Sequence, residues 1–146
     1  MIDMYAQPKV ADVDYYAVDW LPGMGTLIHK TVFEKIGFWD AKDFPQYYGD
    51  SDFILRAKEN GFQPYFYFGA KLWNDTRNTG DSLHGGSFKK MVNSFFSIRS
   101  HYNIVTTLKM YRRHGFGWLG LFKHFIFKHG KFVGGFFKHK LLGRKY

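Results

Sequence analysis

The sequence contains no cysteine, which excludes disulfides, zinc–thiolate sites and thiol nucleophiles. A reducing compartment is thereby permitted. No stretch reaches the roughly 18 uncharged apolar residues that a spanning helix needs. The opening MIDMYAQPKVADVD has neither the basic start nor the apolar run of a signal peptide. The expectation is a protein made and kept inside the cell. Acid is missing from part of the chain only: all 12 Asp and Glu lie at or before Asp81, together with 8 of the 21 Lys and Arg, so residues 82–146 carry 13 basic residues and no acid. A net charge of +9 therefore conceals an acidic first part and a strongly basic second part. Such a split points to a polyanionic partner for the second part, either nucleic acid or an anionic membrane surface.

What is abundant is aromatic. Phe, Trp and Tyr make up 21% of the 146 residues, which argues for a chain that folds, and the length fits one compact unit plus an extension. "DWLPGMGTLIH", from Asp19 to His29, has strand-like ends around a Pro-Gly-x-Gly turn. Thr31 to Glu34 reads as a capping box, with Gly37 as the stop of a short helix. After a loop broken by Pro45 and Gly49, Ser51 to Asn60 is a good helix former closed by Gly61, and Asp52 with Arg56 forms an i, i+4 pair. "QPYFYF" and "AKLWN" read as two short strands, and "NDTRNTGDSLHGG" as a loop. Residues 86–113 return to helical composition.

Two acids stand where the loop meets the helix, in "YYGDSDF". Acids at a helix start complement its dipole and cap free N–H groups, and that suffices for both Asp50 and Asp52. A carboxylate in that place is also suited to accept a proton from a substrate hydroxyl. "VDWLPGMGTLIHKTVFEKIGFWD", then "FPQYYGDSDFILRAKENGF", then a strand and "WNDTRNTG", in unbroken order over residues 18–80, resemble the C-terminal half of a family 2 glycosyltransferase with the GT-A fold, of the bacterial surface-polysaccharide type.

The resemblance implies an α/β, Rossmann-like nucleotide-diphospho-sugar transferase fold, of which residues 1–96 are the C-terminal, acceptor-side portion and residues 97–146 a basic, aromatic-rich helical extension. It places Asp50 on the general base of inverting members. Gly49 stands where the family often has glutamate. Trp20, Pro22 and Gly23 fall on the turn beside donor and acceptor, Asp52 on the second acid of the motif, and Asn74 and Asp75 where many relatives carry a histidine near the diphosphate. Structural roles compete at each: Trp20 as a core anchor, Asp52 as the partner of Arg56. The implied partners are a nucleotide-sugar donor and a glycan or lipid-linked acceptor. A divalent metal, Mg or Mn, is expected of the family. The D-x-D site that holds it lies upstream of the matching segment, so no residue here is assigned to metal, and a separate nucleotide-binding half is implied. Asp12-Val-Asp14 is too close to Asp50 and lacks the preceding apolar strand.

Other patterns fail on context. Gly115 to Gly120 spells G-x-G-x-x-G but follows no strand, and the histidines show no metalloprotease spacing. From residue 116 onward, a helical projection gathers Trp118, Leu121, Phe122, Phe125, Ile126, Phe132, Val133, Phe136 and Phe137 on one side. Lys123, His124, Lys128, Lys131 and Lys138 fall on the other. Six glycines between 115 and 135 weaken the helix. A packed extension with a solvated lysine face explains this pattern, as does a segment lying in the headgroup boundary of an anionic membrane. Nucleic acid is disfavoured for want of a recognisable motif. The expected location is the inner face of the cytoplasmic membrane. The rival to a transferase is a catalytically inactive membrane-surface binding module on the same scaffold.

Overall fold

Phe53, Ile54 and Ala57 recur at the spacing that puts them on one face of a helix, and in the computed structural model, which describes residues 15–73, 87–115 and 117–142, that face is the first core. The helix, α2, spans Gly49–Glu59. It packs against α1, Lys30–Ile36, burying Val32, Phe53, Ile54 and Ala57 under a cover of Leu21, Ile28, Phe33, Ile36 and Phe62. Trp39 stacks on Phe53 with ring centroids 4.8 Å apart. Full burial of a side chain such as Phe53 contributes about 2 kcal/mol.

Helix α1 ends as its sequence indicates: Gly37 adopts φ 74° and ψ −167°, a conformation open essentially to glycine alone, and its N–H bonds to the Phe33 carbonyl. Its start differs from expectation. The N-cap is His29, whose side chain accepts from the Thr31 N–H, so Thr31 lies inside the helix and the capping box does not form. Glu34 pairs instead with Lys30, at 4.0 Å on an exposed face.

Two strands, β1 at Tyr15–Ala17 and β2 at Tyr65–Tyr67, pair antiparallel with Tyr15 opposite Tyr67. All six residues are exposed. The ribbon is held by cross-strand ring contacts such as Tyr16 to Phe66 at 5.5 Å. Residues 70–73 were expected to be a strand and form none. Among the described residues helices predominate and the sheet has only these two strands; the larger sheet that a Rossmann-like fold implies is not seen there.

The composition of residues 86–113 suggests one helix, and the structure divides it into α3, Phe88–Ser94, and α4, Ile104–Arg113. Side chains in between take over backbone partners. Ser97 Oγ accepts from the Arg99 N–H at 3.2 Å, Ser100 Oγ from the Tyr102 N–H at 3.1 Å, and Asn103 caps α4 through the Thr106 N–H at 3.0 Å. Short polar side chains that bond locally offer the backbone an alternative to helix.

The tail is one helix, α5, Gly117–Leu142, of 26 residues, about 39 Å long at 1.5 Å per residue. Burial outweighs its glycines: Phe132 and Phe136 join Met91 in a second core, with Val92, Phe95, Tyr102 and Val133 packed around them. Tyr102 stacks on Phe132 at 3.7 Å. This core draws residues from both sides of the expected 96/97 boundary. Apart from the adjoining residues and backbone of the helix itself, nothing lies within 4 Å of where a Cβ would stand on Gly134 or Gly135. The double variant Gly134→Ala/Gly135→Ala is therefore expected to stabilise the protein by about 1 kcal/mol, seen as a higher Tm in thermal unfolding.

Candidate functional site

Helix α2 starts from a strained residue. Its N-cap, Tyr48, has φ 68° and ψ −4°, the left-handed region that costs a residue with a Cβ about 1 kcal/mol or more. The Tyr48 ring is held from outside. Lys128 of α5 donates to its hydroxyl and stands 4.8 Å from its ring centre, and Thr107 Oγ1 of α4 lies 3.4 Å from the same hydroxyl. Lys128 also donates to the His101 carbonyl at 2.7 Å. Burial, and then the charge of Lys128, lower the pKa of His101. Gly49 follows, and a Cβ there would come within 3.3 Å of the Phe44 carbonyl oxygen. A glutamate in its place would have to displace backbone.

Because α2 begins at Gly49, two residues earlier than its composition suggests, Asp50 sits on its first turn. Asp50 Oδ2 accepts from the Gly23 N–H at 2.9 Å, and Oδ1 from the Ser51 N–H at 2.8 Å. Trp20 reaches the same turn, its indole N–H donating to Ser51 Oγ at 3.0 Å. The Trp20 to Gly23 turn is thus clasped to the start of α2. Gly23 has little room for anything larger, since a Cβ would stand 3.0 Å from Asp50 Cβ and 3.4 Å from its Oδ2. Pro22 shapes that turn, its carbonyl accepting from the Thr26 hydroxyl. An ionised carboxylate has about four acceptor sites. Asp50 is half-buried and retains acceptor capacity for a hydroxyl arriving at the surface, the first requirement of a general base.

Asp52 behaves differently. It is 0% exposed, with Oδ2 bound by Arg56 Nε at 2.8 Å and Oδ1 by Arg113 Nη1 and His114 Nε2, each at 3.0 Å. Burial pushes its carboxyl up, but the hydrogen bonds from Arg56, His114 and Arg113 and the charge of Arg56 outweigh that and hold its pKa below the usual value. The resemblance assigns Asp52 to substrate; the structure places it in the interior, facing cations. Arg113 continues the network to Asp40 at 2.8 Å and Asp43 at 2.6 Å, Lys109 meets Asp43 at 2.7 Å, and His114 Nδ1 lies 3.0 Å from Glu59. These bonds fasten the end of α4 to α2 and to the loop before it. Sequence reasoning missed Arg113 and His114. The available signal was charge complementarity, since a basic "KMYRRH" in an acid-free region has acids to meet only in the first part of the chain.

Asn74 and Asp75 lie outside the described residues, as do Asp12 and Asp14. Asp50-Ser51-Asp52 repeats the D-x-D pattern, but both oxygens of Asp52 are engaged by cationic donors or His114. Among the described residues no three His, Asp or Glu side chains are grouped to hold a metal ion. The resemblance places the divalent metal on an upstream nucleotide-binding half, and the described residues offer no second donor set for it. An apolar hollow of about 320 Å³ beside α2 is walled by Leu21, Ile28, Phe53, Ile54, Phe62 and Tyr65 among others. Asp50 is not part of it, and most of its walls belong to the first core. Comparison with protein-family models, with curated proteins and with solved structures gave no match.

Proposed function

We propose that this chain is the acceptor side of an inverting glycosyltransferase, with Asp50 as its general base. The observation that carries the reading is the Gly23 to Asp50 hydrogen bond, supported by Trp20 to Ser51. It joins, across 27 residues of sequence, the two motifs that the resemblance sets beside the reacting sugar. In the proposed reaction Asp50 removes the proton of an acceptor hydroxyl as that oxygen attacks the anomeric carbon of a nucleotide-sugar. The bond to the nucleoside diphosphate breaks, the diphosphate leaves with the electron pair, and the configuration at that carbon inverts. The acceptor is a glycan or lipid-linked sugar. The nucleotide site, with the metal when bound neutralising charge on the diphosphate, belongs to a nucleotide-binding half beyond the described residues or on a partner.

Release of nucleoside diphosphate from uridine, guanosine and thymidine diphosphosugars tests this, with Mg or Mn present, a lipid-linked glycan extract as acceptor and a cell lysate lacking this chain to supply the nucleotide-binding half. Wild type is expected to turn over at least one donor, and Asp50→Asn to lose that turnover. An Asp50→Asn variant that matches wild-type turnover removes Asp50 from the chemistry. That outcome would leave a second reading, a membrane-surface binding module without catalysis, favoured by the apolar surface that α5 leaves uncovered.

A further inference from the structure

Helix α5 has more apolar surface than its core uses. At about 100° per residue, His129, Phe132 and Phe136 form one stripe, and all three are buried. Phe122, Ile126 and Phe137 form a second stripe beside it, and they remain 56%, 54% and 44% exposed. This second stripe opens into a groove of about 580 Å³ between α4 and α5, walled by Leu108, Trp118, Leu121, Phe125, Ile126 and Val133. Trp118, at the start of the helix, is 80% exposed. The groove continues past Leu108, Trp118 and Leu121 to Arg112 at the end of α4.

The charges around this surface are of one sign. Lys128 is turned inward to Tyr48 and His101, whereas Lys123, Lys131 and Lys140 are exposed. Lys131 lies over the Phe127 ring at 4.1 Å, so an ammonium group stands directly beside an exposed apolar ring. Residues 82–146 hold no carboxylate side chain to discourage an anionic surface. No helix among the described residues is long and apolar enough to cross a membrane. An exposed apolar stripe with a tryptophan at one end, on a helix whose charged side chains are all basic, is the pattern of a helix lying in the plane of the headgroups.

We infer that α5 docks on an anionic lipid bilayer, with Trp118, Phe122, Ile126 and Phe137 entering the headgroup boundary and Lys123, Lys131 and Arg112 held by lipid phosphates. The inference does not depend on Asp50, and Asp50→Asn is expected to bind as wild type does, so the two proposals fail separately. The test is co-sedimentation of the full chain with vesicles of phosphatidylcholine alone and of phosphatidylcholine with phosphatidylglycerol, at low and high salt. Binding is expected to the anionic vesicles only and to weaken as salt rises. Phe122→Ser/Ile126→Ser is expected to lower the affinity about tenfold or more. Lys123→Glu/Lys131→Glu is expected to remove the preference for anionic lipid. All four positions are exposed, and unchanged thermal unfolding of both variants separates loss of docking from loss of fold. The emission of Trp118 is expected to shift to the blue on vesicles, a shift that Trp118→Phe removes. Equal binding to neutral vesicles, unaltered binding by the Phe122/Ile126 variant, or capture of single-stranded nucleic acid with vesicles ignored would overturn the inference. So would a dimer that covers Phe122 and Ile126 and does not bind vesicles.

Discussion

Asp52→Asn is expected to cost the fold about 3 kcal/mol at neutral pH, the penalty of removing one partner from a buried ionic cluster. The asparagine keeps one acceptor oxygen but places an NH2 where a carboxylate oxygen was bound, against Arg56 on one side or Arg113 and His114 on the other. Cationic groups then face a donor, and Arg113 keeps only Asp40 and Asp43. Urea unfolding followed by circular dichroism reads the loss directly. Its pH dependence has a fixed sign. The native pKa of Asp52 is lowered by Arg56, His114 and Arg113 despite burial, while in the unfolded chain it returns to about 3.9. Its stabilisation is thus fully present above about pH 4 and fades as pH falls through the lower native value. Asp40 is lowered as well, first by the N–H of Asp43 and then, against burial, by Arg113, so it adds in the same direction. Wild type is expected to lose stability below about pH 4, and the gap between it and Asp52→Asn to narrow there. A gap that stays constant into acid would show that the carboxylate does not hold the cluster.

Asp50→Asn is expected to act on rate far more than on stability. Its amide oxygen can still accept from the Gly23 N–H, so the clasp between the turn and α2 survives, while the Ser51 N–H loses its carboxylate acceptor. What the variant loses is basicity, and removal of a positioned general base lowers turnover by about 100- to 10,000-fold. Transfer measured at saturating donor should fall by that factor, with a loss of stability of about 1 kcal/mol or less. Paired with Asp52→Asn the contrast is diagnostic, since one carboxylate should report on chemistry and the other on folding. Equal destabilisation by both variants would return Asp50 to a purely structural role.

Much of the frame around these acids is legible in the sequence because it rests on local rules. The Gly37 stop, the body of α2 and the Asp52–Arg56 pair follow from spacing alone. What the sequence conceals is set by distant partners. The β1–β2 ribbon has three residues per strand, too few for an alternating pattern to stand out, and its partners are separated by most of the first half of the chain. The unbroken course of α5 runs against its glycines and depends on Phe132 and Phe136 finding Met91 and Tyr102. Tertiary packing also divides the tail's apolar face: a helical projection shows one face, and only the fold shows that Phe132 and Phe136 are buried while Phe122 and Ile126 are not. The same holds for the site. The resemblance sets the Gly23 turn and Asp50 each beside the reacting sugar, but the hydrogen bond between them, like the capture of Asp52 by Arg113 and His114, is shown only by the fold.

Lys128 gives the tail a second consequence. The left-handed backbone of Tyr48 is a local cost at the point where α2 begins, and the hydrogen bond and cation–π contact that hold its ring come from α5, 80 residues later. Excising α5 would remove that support along with Phe132 and Phe136, leaving Tyr48 to relax toward an ordinary conformation and the first turn of α2, with Asp50, to fray. The basic helix is therefore no detachable appendage: the geometry of an acid in the first half of the sequence is maintained from the second half, and cutting between them would injure both.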